Sequence, residues 1–202
     1  MRERCPRVGV LAIQGDVEAH ARALARAGAD AAEVLHEKDL DGLDALVLPG
    51  GESTTIAKGL ARLGLYEPVR AFAAQGRPLL GTCAGAILLA QRVENHPVAT
   101  LGLLDATAVR NAYGTQVDSF AAPADPVGDA ALEGLRCVFI RAPRLRALGP
   151  GVEVLLRVGG EPVLVRQGSL LAATFHPELT DDPRVHGLLL AAAGRGAPPG
   201  AR

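Results

Sequence analysis

In RPLLGTCAGAILLA, residues 77–90, two glycines flank a cysteine where one apolar run gives way to another. RPLLG (77–81) reads as a short buried strand and the following AGAILLAQR as a helix. Gly81, Thr82, Cys83, Ala84 and Gly85 have the G-x-nucleophile-x-G spacing of a nucleophile elbow, with cysteine in the serine position. Such a bend forms where a strand feeds directly into a helix, and small flanking residues let the backbone approach closely. Cys83 then opens the helix, where the dipole favours a thiolate and free amides face developing negative charge. A lone cysteine packed as a small hydrophobe is the alternative. The paired glycines favour the nucleophile.

The rest of the chain supplies a matching frame. VGVLAI (8–13) and ALVLP (45–49) read as further buried strands, continuously apolar as in parallel sheets. Asp16 is placed to cap a helix whose Val17, His20, Ala21, Leu24, Ala25 and Gly28 recur on one face. In the second half, RCVFIRAP, VEVLLRV, PVLVRQ and SLLAATF are closely spaced strand-like runs, the pattern of antiparallel pairs at a sheet edge. AAPADPVGDAALEG (121–134) reads as a surface connection and DPRVHGLLLAAAG (182–194) as a closing helix. The expected fold is α/β: a three-layer, mostly parallel open sheet with helices on both faces and an antiparallel edge. It occupies one domain, residues 1–194, with 195–202 as a frayed tail.

Composition narrows the function classes. A net charge of -1, without a long run of one sign, argues against a nucleic-acid groove or an anionic membrane as main partner. No apolar stretch approaches the roughly 20 residues of a membrane span. The short apolar run near the N-terminus leads into Gly15, Asp16 and a helix pattern, not a cleavage site. A cytoplasmic protein is expected. Its 3 cysteines, Cys5, Cys83 and Cys137, are too few and scattered for a disulfide framework.

A cysteine nucleophile needs a base and a group to orient that base. In ATFHPELT, His176 and Glu178 are two apart, so an extended backbone turns both to the same side, and Pro177 stiffens the pair. They follow an apolar strand, as expected at the carboxyl edge of an open α/β sheet. H-x-E alone is also compatible with a surface loop or a metal-site fragment. His20 and His186 are assigned to helix faces, and His36 and His96 to loops, without a chemical role. In LPGGESTT (48–55) a Gly-Gly pair after a strand frees amides to approach a ligand, with Glu52 and Ser53 as a polar rim. An ordinary strand-to-helix turn capped by Ser53 or Thr54 is equally compatible. Neither the phosphate-loop nor the dinucleotide glycine spacing is present.

PGGEST, GTCAG and FHPEL, in this order, resemble a class I (triad) glutamine amidotransferase, a flavodoxin-like family. GVLAIQGDVEAH, LPGGESTTI, GTCAGAILLA, RNAYGTQVDSF, FIRAP and FHPELTDDPRVH are more closely similar to the glutaminase subunits of pyridoxal 5'-phosphate synthases. The resemblance runs over residues 8–186. It implies hydrolysis of L-glutamine to L-glutamate and ammonia, which passes to a separate synthase subunit. By the same resemblance Cys83 is the nucleophile, His176 the general base and acid, and Glu178 its orienting partner. Gly51, Glu52, Ser53, Arg110, Ile140 and Arg141 hold glutamine, and Gln14 lies near the oxyanion site and the synthase interface. No catalytic position is substituted.

The residues suit that chemistry. An amide carbonyl needs preorganised donors, each typically worth about 3 kcal/mol, and the amides of Ala84 and of the Gly50 and Gly51 turn are candidates. Arg110 and Arg141 can fork onto a carboxylate, although surface salt bridges are the commoner use of arginine. No metal or organic cofactor is required. The competing readings are a hydrolase or deglycase of the related elbow-cysteine superfamily, and a catalytically silent module that regulates a partner. The contiguous H-P-E speaks against the first. The intact Cys83, His176 and Glu178 speak against the second.

Overall fold

In the computed structural model the residues described are 4–110 and 119–195. Residues 111–118 of the RNAYGTQVDSF motif, and 196–202 of the expected tail, lie outside them.

The first half builds the parallel part of an eight-stranded sheet. β1 (Arg7–Leu11), α1 (Val17–Ala27), β2 (Asp30–Val34), β3 (Ala45–Leu48), α2 (Ser53–Arg62), α3 (Tyr66–Ala74), β4 (Leu79–Thr82) and α4 (Ala84–Leu89) follow one another. β5 (Ala90–Glu94), β6 (Leu104–Val109), β7 (Ser119–Pro123), β8 (Asp125–Pro126), β9 (Arg136–Ile140) and β10 (Arg144–Arg146) lead into the second half. β11 (Glu153–Val158), β12 (Glu161–Gln167), β13 (Leu170–Ala173) and α5 (Arg184–Arg195) complete it. The large sheet has the order β2-β1-β3-β4-β13-β12-β11-β8. Its strands from β2 to β13 are parallel, and β12, β11 and β8 add antiparallel.

Continuous apolar strands work here because both faces of the sheet are covered. Leu46, Leu48 and Leu79 join a core with Ile56 and Leu60 of α2 and Val69 and Phe72 of α3. Ala45, Val47 and Leu80 point the other way, to Leu24 of α1, Val185 and Leu189 of α5 and Phe139 of β9. The period-2 alternation of side chains thus serves two apolar layers instead of one. This is the three-layer α/β fold expected from the sequence.

Several local expectations are corrected. The helix after the elbow stops at Leu89, and Ala90, at ψ 146, starts β5, which pairs with β6 in a separate three-stranded sheet. The amides of Leu101 and Leu103 donate to the carbonyls of Leu88 and Leu89, taking over acceptors that a longer helix would use. RCVFI pairs with β7 in a two-stranded ribbon rather than at the main edge, and SLLAATF reaches the sheet interior, parallel to β4. The expected surface connection contains β8, the last strand of the large sheet, and Leu132 from it is buried in the core. On α1 the buried residues are Ala19, His20, Ala23 and Leu24, while Ala25 faces out. α5 runs through Arg195, one residue into the expected tail. Among the described residues no helix is long and apolar enough to cross a membrane.

Candidate active site

β3 and β4 end side by side in the sheet, so the loops that follow them meet at its carboxyl edge. The bend after β4 is tight. Cys83 has φ 49 and ψ -104, a left-handed backbone that costs a non-glycine residue on the order of 1–3 kcal/mol. The surroundings hold it there. The Cys83 amide donates to Ala173 O at 2.8 Å, and its carbonyl accepts from Ala86 and Ile87 as α4 begins. A Cβ on Gly81 would stand 2.5 Å from Gly85 O, and one on Gly85 would overlap the Leu48 carbonyl. Both glycines of the sequence motif are therefore required by close backbone packing. The Cys83 side chain is 7% exposed, with its Sγ 3.8 Å from the Ile140 carbonyl.

His176 and Glu178 follow β13, the neighbour of β4. The His176 amide donates to Val138 O at 2.8 Å, and Pro177 then opens a 3-10 turn, Pro177–Leu179. The expected extended pair is thus a turn, yet its outcome is the same. His176 Nδ1 donates to Glu178 Oε1 at 2.7 Å. Proline fits the first position of such a turn because its fixed φ and missing amide cost nothing there. His176 Nε2 has no hydrogen bond of ordinary geometry among the described residues. Burial works against a charged His176, but attraction to Cys83 and Glu178 outweighs it and raises its pKa to about 10. Burial also works against charge on Glu178. The His176 bond and the nearby His20 and His176 rings prevail, and the carboxyl stays below its usual range.

The loop after β3 closes the site. Gly50 sits between the two partners: a Cβ on it would lie 2.5 Å from His176 Cε1 and 3.3 Å from Cys83 Cβ. Gly51, at φ 147, holds a conformation open to glycine. Gln14 Oε1 accepts from the Glu52 amide at 3.0 Å, which ties the loop after β1 to the Gly-Gly turn. The cap of α2 is Glu52, not the Ser53 or Thr54 of the alternative reading. Its carboxylate accepts from the amides of Thr54 at 3.0 Å and Thr55 at 2.7 Å. Partial burial opposes its charge, but these bonds bring its pKa down to about 2.

Gly51, Glu52, Ser53, Cys83, Ala84 and Ile87 line one small cleft of about 180 Å³ together with Arg110, Ile140, Arg141, Pro143 and His176. Every residue predicted for the site from the sequence lies in this wall or, as Gln14 and Glu178 do, directly behind it. Arg110 Nη2 contacts Glu52 Oε1 at 3.2 Å and Thr54 Oγ1 at 3.4 Å, and its Nη1 donates to His96 O at 2.6 Å. Arg141, at φ 43, is exposed on the rim. Ile87 and Pro143 were not anticipated; they are apolar residues without a chemical signature of their own. His20 and His186 lie on helices as expected, and both are fully buried, with His20 directly behind Glu178. Among the described residues no group of three or more His, Cys, Asp or Glu side chains has a metal-binding arrangement.

A family model described as the SNO glutamine amidotransferase family matches residues 10–193. A protein of Thermus thermophilus, "Pyridoxal 5'-phosphate synthase subunit PdxT", is 54% identical over 189 residues, covering 93% of this chain and 97% of its own. A Parafrankia sp. protein with the same name is 56% identical over 189 residues, covering 92% of each. A solved structure, "Crystal structure of glutamine amidotransferase", superposes with a TM-score of 0.87 at 51% identity, covering 93% of this chain and 98% of that one.

Proposed function

The chain belongs to the SNO glutamine amidotransferase family, and from that premise we propose that it is the glutaminase subunit of a pyridoxal 5'-phosphate synthase. It hydrolyses L-glutamine to L-glutamate and ammonia and delivers the ammonia to a separate synthase subunit. The observation that carries this reading is the convergence of a strained Cys83 and a His176 held at 2.7 Å by Glu178 on one cleft.

The chemistry follows from these groups. Cys83 Sγ attacks the side-chain carbonyl carbon of glutamine, and the carbonyl oxygen takes the negative charge. The amide of Ala84, at the start of α4, and an amide of the Gly50 and Gly51 turn are the donors for it. The raised pKa of His176 keeps its ring protonated near neutral pH, so it holds the proton that the leaving nitrogen needs. Ammonia departs and a glutamyl thioester remains on Cys83. His176, now neutral, takes a proton from water, which attacks the thioester, and glutamate leaves with Cys83 restored. Glu178 stabilises the imidazolium at each stage without taking its proton. Arg110 and Arg141, which line the same cleft, hold the α-carboxylate of glutamine, with Glu52, Ser53 and Ile140 beside its polar end.

The ammonia must reach its acceptor unprotonated, which favours a docked synthase over release into water. Gln14 and Gly15 link the loop after β1 to the turn that supplies an oxyanion donor, so docking there reaches the substrate. A cytoplasmic location belongs to the same reading, since unpaired thiols suit a reducing compartment. Intact-mass analysis after treatment with diazo-oxonorleucine, a glutamine-like electrophile, tests the nucleophile. One adduct, on Cys83, is expected, and labelling confined to Cys5 refutes the assignment. Ammonia release with and without purified synthase tests the partner; the isolated chain is expected to be slow and the pair fast.

A further inference from the structure

Behind the cleft three buried side chains from separate elements meet around His20, whose Nε2 faces the far oxygen of Glu178. His20 of α1, His186 of α5 and Thr82 at the end of β4 are each 0% exposed. His20 Nε2 stands 3.5 Å from Glu178 Oε2 and 3.3 Å from Thr82 Oγ1. On its other side, His20 Nδ1 is 3.1 Å from His186 Nε2. None of the three lines the cleft. Residues 20 and 186 are 166 apart in sequence, so this line of rings is a product of the fold.

We propose that His20, held by His186, is a positioning residue that fixes the Glu178 carboxylate, extending Cys83, His176 and Glu178 inward by two neutral imidazoles. The inference rests on the triad reading given above.

The proton positions follow from what each atom can accept. Glu178 Oε1 is taken by His176, while Oε2 is buried and has no hydrogen bond of ordinary length among the described residues. An ionised carboxylate only accepts, which favours a hydrogen on the His20 nitrogen that faces it, with Thr82 Oγ1 as a second acceptor beside it. A neutral His20 is then the Nε2–H tautomer, and its Nδ1 is a bare acceptor. His186 must donate from Nε2–H, which leaves its own Nδ1 as a lone pair. That atom is buried without a partner. The opposite arrangement would aim a lone pair at a carboxylate and bury an unpaired N–H on His186, which is the costlier choice.

Neutrality matters to the function. The groups facing His20 are Glu178 and His176 from the segment after β13, His186 from α5, and Asp16 at the start of its own helix. Burial and the His176 charge hold His20 below its ordinary pKa, against the pull of Glu178 and Asp16. Burial, with His20 nearby, pushes His186 down to about 3. A charged His20 would compete with His176 for the carboxylate. A neutral donor orients Glu178 and leaves its charge to His176.

The experiment combines kinetics of the synthase-bound enzyme with nitrogen-15 imidazole spectra of the wild-type chain. His20→Leu is expected to lower kcat about 10- to 100-fold, with KM within about twofold, by loosening the base. The acid limb of its kcat/KM profile should move to higher pH, because Glu178 loses the polar N–H that faces its ionised form at 3.5 Å. In His20→Gln the amide nitrogen reaches the Nε2 position and restores most of the lost kcat; in His20→Asn it reaches only the Nδ1 position and does not. Wild-type spectra at pH 7 should show His20 and His186 as neutral Nε2–H tautomers. An imidazolium or an Nδ1–H tautomer at His20 overturns the proposal even if no variant folds. So does a His20→Leu enzyme with wild-type kcat and pH profile. Loss of ammonia release in Cys83→Ala tests the underlying triad separately.

Discussion

Gly50 lies against His176 so closely that a Cβ on the glycine would stand 2.5 Å from the ring's Cε1. The same Cβ would be 3.3 Å from Cys83 Cβ, so one missing methyl group sets the room between nucleophile and base. Gly50→Ala must therefore displace the ring, whose Nδ1 is bonded to Glu178 at 2.7 Å. A shift of about 1 Å in a catalytic group can cost on the order of 100-fold. Glutaminase kcat/KM in Gly50→Ala should fall by about that factor. Wild-type turnover would show that the ring is not where its chemistry requires.

Gly85→Ala addresses stability instead. Its Cβ would overlap the backbone carbonyl of Leu48, which lies inside the parallel sheet and cannot swing aside as a flexible side chain does. Overpacking of this kind costs about 1–3 kcal/mol, and backbone against backbone belongs at the upper end. Urea denaturation should give a lower midpoint at an unchanged slope. An unshifted midpoint would contradict the close approach of α4 to β3.

The dependence of stability on pH has two opposing limbs. His176 has a folded pKa raised from the usual value near 6.5 to about 10. Its contribution is complete below about pH 6.5 and is lost as pH climbs toward 10. His20 and His186 are held below their ordinary values, so what they contribute is present above about pH 6.5 and is lost as pH falls. Glu178, also held low, adds to the acid-side loss below its unfolded pKa of about 4.5. The melting temperature should peak near pH 6.5 to 7. The alkaline fall should flatten in Glu178→Gln, where the carboxylate no longer holds the His176 proton. A melting temperature constant from pH 6.5 to 10 would be inconsistent with a stabilised imidazolium.

Arg110 is anchored by Glu52, Thr54 and the His96 carbonyl, and its side chain is 13% exposed at the cleft wall. As a clamp on the unreacting end of glutamine it binds ground and transition states alike. Arg110→Ala should raise KM for glutamine about tenfold or more with kcat nearly unchanged. Lysine should rescue poorly, since a point charge cannot keep the anchors and fork onto a carboxylate together. A large loss of kcat at constant KM would assign Arg110 to the chemical step.

The elbow, the parallel frame and the H-P-E pair were legible in the sequence for a common reason. Each depends on residues a few positions apart. Two glycines around Cys83 mark a bend in which a Cβ has no room, and a proline between His176 and Glu178 limits the pair to a few geometries. Even with the backbone misjudged as extended, the two side chains met. Where α4 ends was not legible, because Leu88 and Leu89 surrender their carbonyls to Leu101 and Leu103, partners that local propensity does not see. Nor was the cap of α2, where Glu52 also answers to Gln14 and Arg110. His20 and His186 are the clearest case. By sequence each is one histidine on a helix, His20 in a stripe with Val17 and Leu24, and neither helix indicates what its ring meets. Only the packing of α1 and α5 against the same side of the sheet removes both from water and places them behind Glu178. Covalent neighbours determine where the chain bends. Burial, and with it the protonation of these rings, depends on segments 166 residues apart meeting in space.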